Sequence, residues 1–329
     1  MPSETVIAVE TAAAAVQAPL DEGPPVSERI FRLACRGSAL GVAGVLFAVF
    51  AVLAVHAWPA LSAFGPAFLT TQVWNPVTER FGALAPICGT LVTSAIAMLI
   101  ATPTAIGAAL FLNESCPHRL RSPIIVAIEL LAAVPSIIYG MWGLLVLAPF
   151  LAVHVQPALI SALGPLPAVG TLFQGPPFGI GVLTAGIILG IMVLPFIASV
   201  ACQVFATVDP LLREAAYGVG ATRWEVCRRV ILPATRSGLL GAMMLGLGRA
   251  LGETMAVTFV IGNAHRISPS LFAPGTTISA SLANEFTEAV GDLYLSSLQA
   301  LGLVLFAITF VVLAAARLML ARIESREAK

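Results

Sequence analysis

Two opposite charges, Arg249 and Glu253, stand in the fifth of six apolar stretches of this sequence. A charge at the centre of a bilayer costs roughly 2.5–3.5 kcal/mol on insertion scales, so each one needs a reason to be there. On a continuous helix their four-residue spacing puts both on one face, about 6 Å apart along the axis, within pairing reach. Two uses fit that geometry. One is a buried ion pair that orders a helix bundle. The other is a guarded anion path, because arginine presents five donors in a planar fork that suits a tetrahedral oxyanion and keeps its charge at any working pH. A third charge, Glu129, lies near one end of the third apolar stretch. A carboxylate so placed suits snorkelling or an interface better than contact with a substrate.

These charges need a membrane-spanning scaffold, and the composition supplies it. The chain has 329 residues, 58% hydrophobic and 10% charged, where average soluble domains are roughly 25% charged. Its mean hydropathy is +0.96, more apolar surface than a soluble fold of this size has interior to hide. A helical crossing takes about 20 apolar residues. Six stretches qualify: 40–57, 89–112, 124–153, 179–202, 238–262 and 296–318. The third holds Pro135 and Gly140, which predicts a kink or tilt, or a re-entrant pair that would raise the count to seven. The expected class is all-α and polytopic, with about six transmembrane helices. Glycines four apart, Gly37–Gly41, Gly186–Gly190 and Gly248–Gly252, predict close helix packing.

Basic residues set the orientation. Arg29, Arg32 and Arg36 precede the first stretch, and Arg119 and Arg121 follow the second. Arg213, Arg223, Arg228, Arg229 and Arg236 follow the fourth, and Arg317, Arg322, Arg326 and Lys329 come at or after the end of the sixth. Only Arg80 and Arg266 fall on the opposite side, so both termini are expected in the cytoplasm. Residues 1–24, rich in Ala, Pro and acids, are expected to form a disordered cytoplasmic tail. Segment 25–38 reads as an amphipathic interfacial helix, 39–320 as the transmembrane domain and 321–329 as a cytoplasmic tail. On the outer side, 58–86 suggests a folded lid. Segment 279–290 suggests a short surface helix, with Leu282, Phe286 and Ala289 on one face beside Glu285 and Glu288, suited to an external partner or to the membrane surface.

Several functions are excluded. The only lysine is Lys329, so no G-x-x-x-x-G-K-[ST] phosphate loop is present and the chain has no ATPase site of that kind. Five cysteines and four histidines are scattered without ligand spacing, so no metal or cofactor is expected. The formal charge of zero gives no basis for nucleic-acid binding. No H-E-x-x-H, G-x-G-D or membrane Ser/His pair suggests an intramembrane enzyme.

The most informative loop is 205–236. Asp209 before Pro210 is a helix start. Gly218 and Gly220 break that helix, Thr222 and Glu225 form a capping box for a second, and Pro233 is expected to close it. Two short helices at a glycine turn make a knob able to transmit a push. The run Glu214-Ala215-Ala216, three residues, Gly220, nine residues and then Val230-Ile231-Leu232-Pro233 resembles the E-A-A-x3-G-x9-I-x-L-P pattern of ABC importer permeases, with valine for the usual isoleucine at 230. The resemblance implies the type I importer permease fold. It also implies that Glu214, Ala215, Ala216, Gly220, Leu232 and Pro233 serve as coupling residues docked on an ATPase subunit, none of them catalytic.

Further segments narrow the resemblance. Residues 81–84 (Phe-Gly-Ala-Leu), 89–91 (Gly-Thr-Leu), 129–140 and 247–256 are similar to those of phosphate-transport permeases of the PstC type, and the likeness runs from the first span to the sixth. It implies a subunit forming half of a phosphate pathway and working by alternating access. Its implied partners are an ATPase homodimer, a second permease and an extracytoplasmic phosphate-binding protein, within membrane lipid. A permease of the same architecture for molybdate or sulfate is the alternative. A self-contained ion-coupled carrier fits less well, because it has no use for the knob and the chain shows no internal repeat. Phosphate near neutral pH still carries a proton that Glu253 can accept as a hydrogen bond, whereas sulfate carries none and meets repulsion.

Overall fold

The computed structural model describes residues 26–167 and 169–327; the tail expected at 1–24 and the end of the chain with Lys329 lie outside the described residues. Among the described residues the fold is helical, with a single isolated β-bridge between Asn75 and Arg80. The chain divides into two compact units, Met1–Val52 and Leu53–Lys329.

Helix α1 (Val26–Phe64) opens the first unit. Up to Val52 its described side chains are nearly all exposed, Leu40, Val45 and Phe47 among them. An apolar helix with an uncovered surface is built for hydrocarbon rather than water. Glu28 and Arg32 pair across one turn. No break separates the arginine segment expected at 25–38 from the first span.

Among the described residues five helices are long and apolar enough to cross a membrane: Ser27–Phe64, Leu84–Ser115, Ser136–Leu163, Val182–Ala206 and Asp292–Met319. A bent pair, Arg223–Ala234 and Arg236–Leu251 at 73°, brings the number to six. In chain order after α1 we label α2 (Ala67–Thr70), α3 (Leu84–Ser115), α4 (His118–Ala133), α5 (Ser136–Leu163) and α6 (Val182–Ala206). Then come α7 (Pro210–Gly218), α8 (Arg223–Ala234), α9 (Arg236–Leu251), α10 (Met255–Ile261), α11 (Ile278–Glu285) and α12 (Asp292–Glu327). The last helix continues through Glu327, where a tail was expected from 321.

Helix α6 is the axis of the second unit and its most buried span. Ala97, Ala101, Ala105 and Ala109 repeat every fourth residue on α3 and are fully buried, a stripe small enough for close approach. Opposite them, a Cβ on Gly186 would fall 2.6 Å from Ile96, and one on Gly190 would fall 3.2 Å from the Ala97 carbonyl. The other two glycine pairs do not pack in this way. Gly37 and Gly41 face open space, and around Gly248 and Gly252 nothing comes nearer than 3.7 Å.

Two expected spans are broken. The third, expected at 124–153, is α5, beginning at Ser136. Val134 and Pro135 are extended (ψ 131° and 136°) and separate it from α4, since a residue before proline is pushed out of the helical region. Glu129 therefore stands on α4, ahead of the span and not within it. The fifth, expected as one helix over 238–262, stops at Leu251, and α10 restarts at Met255.

Prolines account for a further irregularity. Four π-helical turns occur among the described residues, Phe111–Ser115, Gly143–Leu147, Leu151–Val155 and Cys227–Ile231. Each ends two residues before a proline: Pro117, Pro149, Pro157 and Pro233. A proline ring strikes the carbonyl four residues back and offers it no donor, and widening the ladder by one residue relieves both faults.

Candidate functional site

The knob forms at the end of α6. Asp209 Oδ1 accepts the Leu211 N–H at 2.9 Å and starts α7. The chain reverses at Gly220, whose φ of +83° is left-handed, a conformation glycine adopts without Cβ strain. There the Ala221 N–H returns to the Ala216 carbonyl at 3.1 Å, closing the helix end. Thr222 and Glu225 then cap α8 reciprocally, with the Thr222 N–H reaching Glu225 Oε2 at 2.9 Å. Both helix starts stand where the sequence placed them. Pro233 does not close α8: it lies inside the last turn, and the corner comes at Thr235 (φ −111°, ψ 6°). The π turn ahead of Pro233 absorbs the lost hydrogen bond, so the helix survives its own proline.

Val226, Cys227 and Ile231 are the buried side of the knob, packed with Leu112, Phe205 and Leu239, and Ala216 leans on the same cluster. Leu232 is half-buried, while Glu214, Ala215, Gly220 and Pro233 face outward. Around them stand apolar side chains the sequence had not singled out: Leu211, Val219 (86% exposed) and Trp224 (66% exposed). A groove of about 330 Å³ runs beside them, lined by Ala216, Val219, Gly220, Ala221, Glu225 and Arg229. Apolar residues inside an otherwise polar loop were the available signal.

A polar clamp fastens the knob to the spans. Arg213 of α7 pairs with Glu114 of α3 at 3.0 Å, their side chains 21% and 7% exposed. The same guanidinium donates to the Phe205 carbonyl at 2.6 Å. Next to it Arg121 of α4 donates to Asn113, which donates in turn to the Ala109 carbonyl at 2.9 Å. In the sequence Glu114 carries no mark of this role, because its partner Arg213 is about a hundred residues away.

The two broken spans meet in the second unit. Tyr139 of α5 donates to the Leu131 carbonyl at 2.9 Å, bridging the Val134–Pro135 break. A Cβ on Gly140 would lie 2.9 Å from Phe259 and 3.0 Å from Ala256, so α5 and α10 touch through a glycine. Arg249, on the last turn of α9, is exposed. Its guanidinium sits 5.9 Å from the centroid of the Phe196 ring, a cation–π contact. The expected pair with Glu253 does not form: no ion pair or hydrogen bond joins the two among the described residues. Glu253 lies in the break, where its Oε1 accepts the Ala256 N–H at 3.2 Å and caps α10. A four-residue spacing shares a face only while the helix continues, and Gly252 with this capping carboxylate ends it. Glu129 is exposed on α4 and bonds to neither residue among those described.

At the opposite end of α6, about 37 Å away at 1.5 Å per residue, the segment expected as a surface helix is turned inward. Ile278, Ser279, Ala280 and Ser281 of α11 are buried. Glu285 accepts from Trp74 Nε1 at 2.6 Å and from the Tyr294 hydroxyl at 2.7 Å, and His265 Nε2 lies 2.6 Å from its other oxygen. The His265 ring stacks on Trp74 at 5.0 Å. Burial alone would raise the Glu285 carboxyl; the hydrogen bonds from His265, Tyr294 and Trp74 and the charge of His265 outweigh it and hold it below its ordinary value.

An all-helical polytopic chain with broken spans and a capped knob between the fourth and fifth has the architecture of an importer permease. A bacterial alginate ABC transporter has a chain of this fold, with a TM-score of 0.59 at 20% identity, over 91% of this chain and 98% of that one. The family model for binding-protein-dependent transport system inner membrane components matches residues 101–326. The phosphate transport system permease protein PstC of Mesorhizobium japonicum is 62% identical over 301 residues, 92% of each chain. The protein of the same name from Pasteurella multocida is 52% identical, over 92% of this chain and 95% of that one. The chain belongs to the family of binding-protein-dependent transport system inner membrane components, in its PstC branch. It is a multi-pass membrane permease, with ATP hydrolysis carried by a separate subunit.

Proposed function

We propose that this chain is the membrane-spanning subunit of an ATP-driven importer of inorganic phosphate, forming half of the pathway. The observation that carries this is 62% identity with a phosphate permease over nearly the whole length, supported by a compact knob, capped at Asp209 and Thr222, that carries the residues of the coupling pattern. Molybdate and sulfate give way to phosphate on the names of the relatives. The knob faces the cytoplasm, because arginines crowd its end of the helices and the opposite end carries only Arg80 and Arg266; both termini lie on the knob's side.

Nucleotide turnover in an ATPase homodimer of the PstB kind is received at Glu214, Ala215, Ala216, Gly220, Leu232 and Pro233. The exposed Leu211, Val219 and Trp224 supply apolar docking area. A second permease of the PstA kind completes the pathway, and an extracytoplasmic phosphate-binding protein of the PstS kind delivers the anion. Arg249 is the pathway cation, held between passages over Phe196 rather than by Glu253. Glu253 keeps one oxygen on the Ala256 N–H and offers the other to the proton that phosphate carries. Glu129, outside the spans, serves an interface. Arg249→Gln should abolish phosphate uptake by the assembled complex in proteoliposomes while the subunits still co-purify. Uptake at the wild-type rate refutes the assignment.

A further inference from the structure

The loop between α10 and α11 is held rigidly from several sides. Gly262 and Asn263 take left-handed backbone (φ +89° and +52°). The Ala264 N–H bonds the Gly275 carbonyl at 2.9 Å and the Gly275 N–H bonds Ile261 at 3.0 Å, closing the loop on itself. Leu271 N–H reaches Leu172 at 2.9 Å, and the Ser270 hydroxyl reaches the Gln174 carbonyl at 2.5 Å. His265 is turned inward to Glu285 and stacked on Trp74. Its neighbour Arg266 is exposed.

Arg266 lines two cavities at once. One, of about 290 Å³, is bounded by Cys88, Gly89, Val182, Ile267 and Thr276 among others. The second, of about 160 Å³, is bounded by Gln174, Phe178 and Pro274. Arg266, Ser268 and Ser270 belong to both walls. No carboxylate lines either cavity, and among the described residues no ion pair or hydrogen bond engages the Arg266 guanidinium. Glu285, the acid bonded to the neighbouring His265, already holds three partners. Ser268 Oγ accepts the Ser270 N–H at 3.2 Å, which leaves its own hydrogen free to donate. Ser270 has no hydrogen to spare, since it donates to the Gln174 carbonyl while accepting from the Phe272 N–H.

We infer that Arg266 and Ser268 form a reception site for a tetrahedral oxyanion at the extramembrane end, remote from Arg249 and passed first. This rests on the phosphate-import assignment above and adds a second binding station to it. An unpaired guanidinium in a concave, acid-free wall offers a two-donor fork, and the serine adds a third donor. At about 30 Å³ per water the larger cavity takes an anion with several waters of its shell, so the site is weak and fast, as a relay requires. The Glu285–His265–Trp74 latch sets the direction of Arg266 by claiming the preceding side chain.

The test uses the assembled complex in nanodiscs without its binding protein, with inorganic phosphate as probe. Exchange broadening of the phosphorus NMR line is followed for wild type, Arg266→Gln, Arg266→Lys and Ser268→Ala. The expected result is a loss of broadening of about tenfold or more in Arg266→Gln, as for removal of a charge-assisted contact, with partial rescue in Arg266→Lys and an intermediate Ser268→Ala. In proteoliposomes supplied with the binding protein, uptake at limiting phosphate should fall in the same order, while uptake at saturating phosphate changes little. Unchanged broadening in Arg266→Gln overturns the site. If broadening is unchanged while binding protein added back in a separate measurement docks more weakly to the Arg266→Gln complex, Arg266 is a protein contact and the site is likewise overturned. A wild-type complex that moves no phosphate refutes the import assignment instead, a different failure seen before any variant is made.

Discussion

Arg213→Gln tests how motion reaches the spans. The substitution removes a guanidinium 3.0 Å from Glu114 and leaves that carboxylate, 7% exposed, without its counter-charge. At an effective dielectric of about 20, two unit charges at that distance attract by about 5 kcal/mol, part of it offset by desolvation. Breaking one side of a buried pair typically costs about 3–5 kcal/mol. The 21% exposure of Arg213 argues for the lower figure, about 3 kcal/mol. At about 1.4 kcal/mol per tenfold, the equilibrium between a clamped and a loosened α7 shifts by about two orders of magnitude. The spans themselves keep their packing, because the Ala97–Ala109 stripe against α6 is untouched. The expected phenotype is uncoupling: ATP hydrolysis by the reconstituted complex persists while phosphate taken up per ATP falls at least several-fold. Glu114→Gln paired with Arg213→Met removes both charges and should restore thermal stability without restoring the ratio. If Arg213→Gln transports with the wild-type ratio and melts at the wild-type temperature, the clamp has no part in transmission.

Gly220→Val meets open space but forces a left-handed φ of +83° on a β-branched residue, costing about 1–3 kcal/mol; coupling should fail while the complex still assembles, as read by uptake against hydrolysis. Gly140→Leu drives a side chain into Ala256 and Phe259 and should lower the melting temperature by several degrees, whereas Gly107→Leu, at a glycine facing open space, should not. Glu285→Ala strands three donors in a half-buried cluster at about 1–3 kcal/mol each, and the Trp74 emission should shift with the melting temperature. The depressed Glu285 carboxyl stabilises the latch above its unfolded value of about 4.3; that contribution disappears as pH falls through the lower folded value, and Glu285→Gln should flatten the acid limb of a melting-temperature profile.

Local chemistry was legible and long-range chemistry was not. Asp209, Thr222 and Glu225 cap where expected because a cap is decided within four residues. The number of crossings followed from apolar run lengths. Pro135 marked an irregularity in the third stretch, and the structure makes it a full break at Val134–Pro135; the break at Gly252–Thr254 escaped, because hydrophobic runs report what is buried and continue unchanged across an interrupted helix. Arg249 and Glu253 were joined in expectation by a helical register that a capping bond then ended. Glu114 and Glu285 stayed hidden for another reason. Their partners, Arg213, Trp74, His265 and Tyr294, come together only when helices far apart in sequence have packed. Pro233 announced a stop, and a π turn let the helix pass it.

The most direct measurement is ATP-dependent accumulation of radiolabelled phosphate in proteoliposomes that contain this chain, a second permease and the ATPase pair, with loaded binding protein on the face opposite the knob. Accumulation that needs every component, ignores excess sulfate and vanishes in Arg249→Gln is the predicted result. Accumulation by this polypeptide alone, or binding protein that acts only from the knob's side, contradicts it.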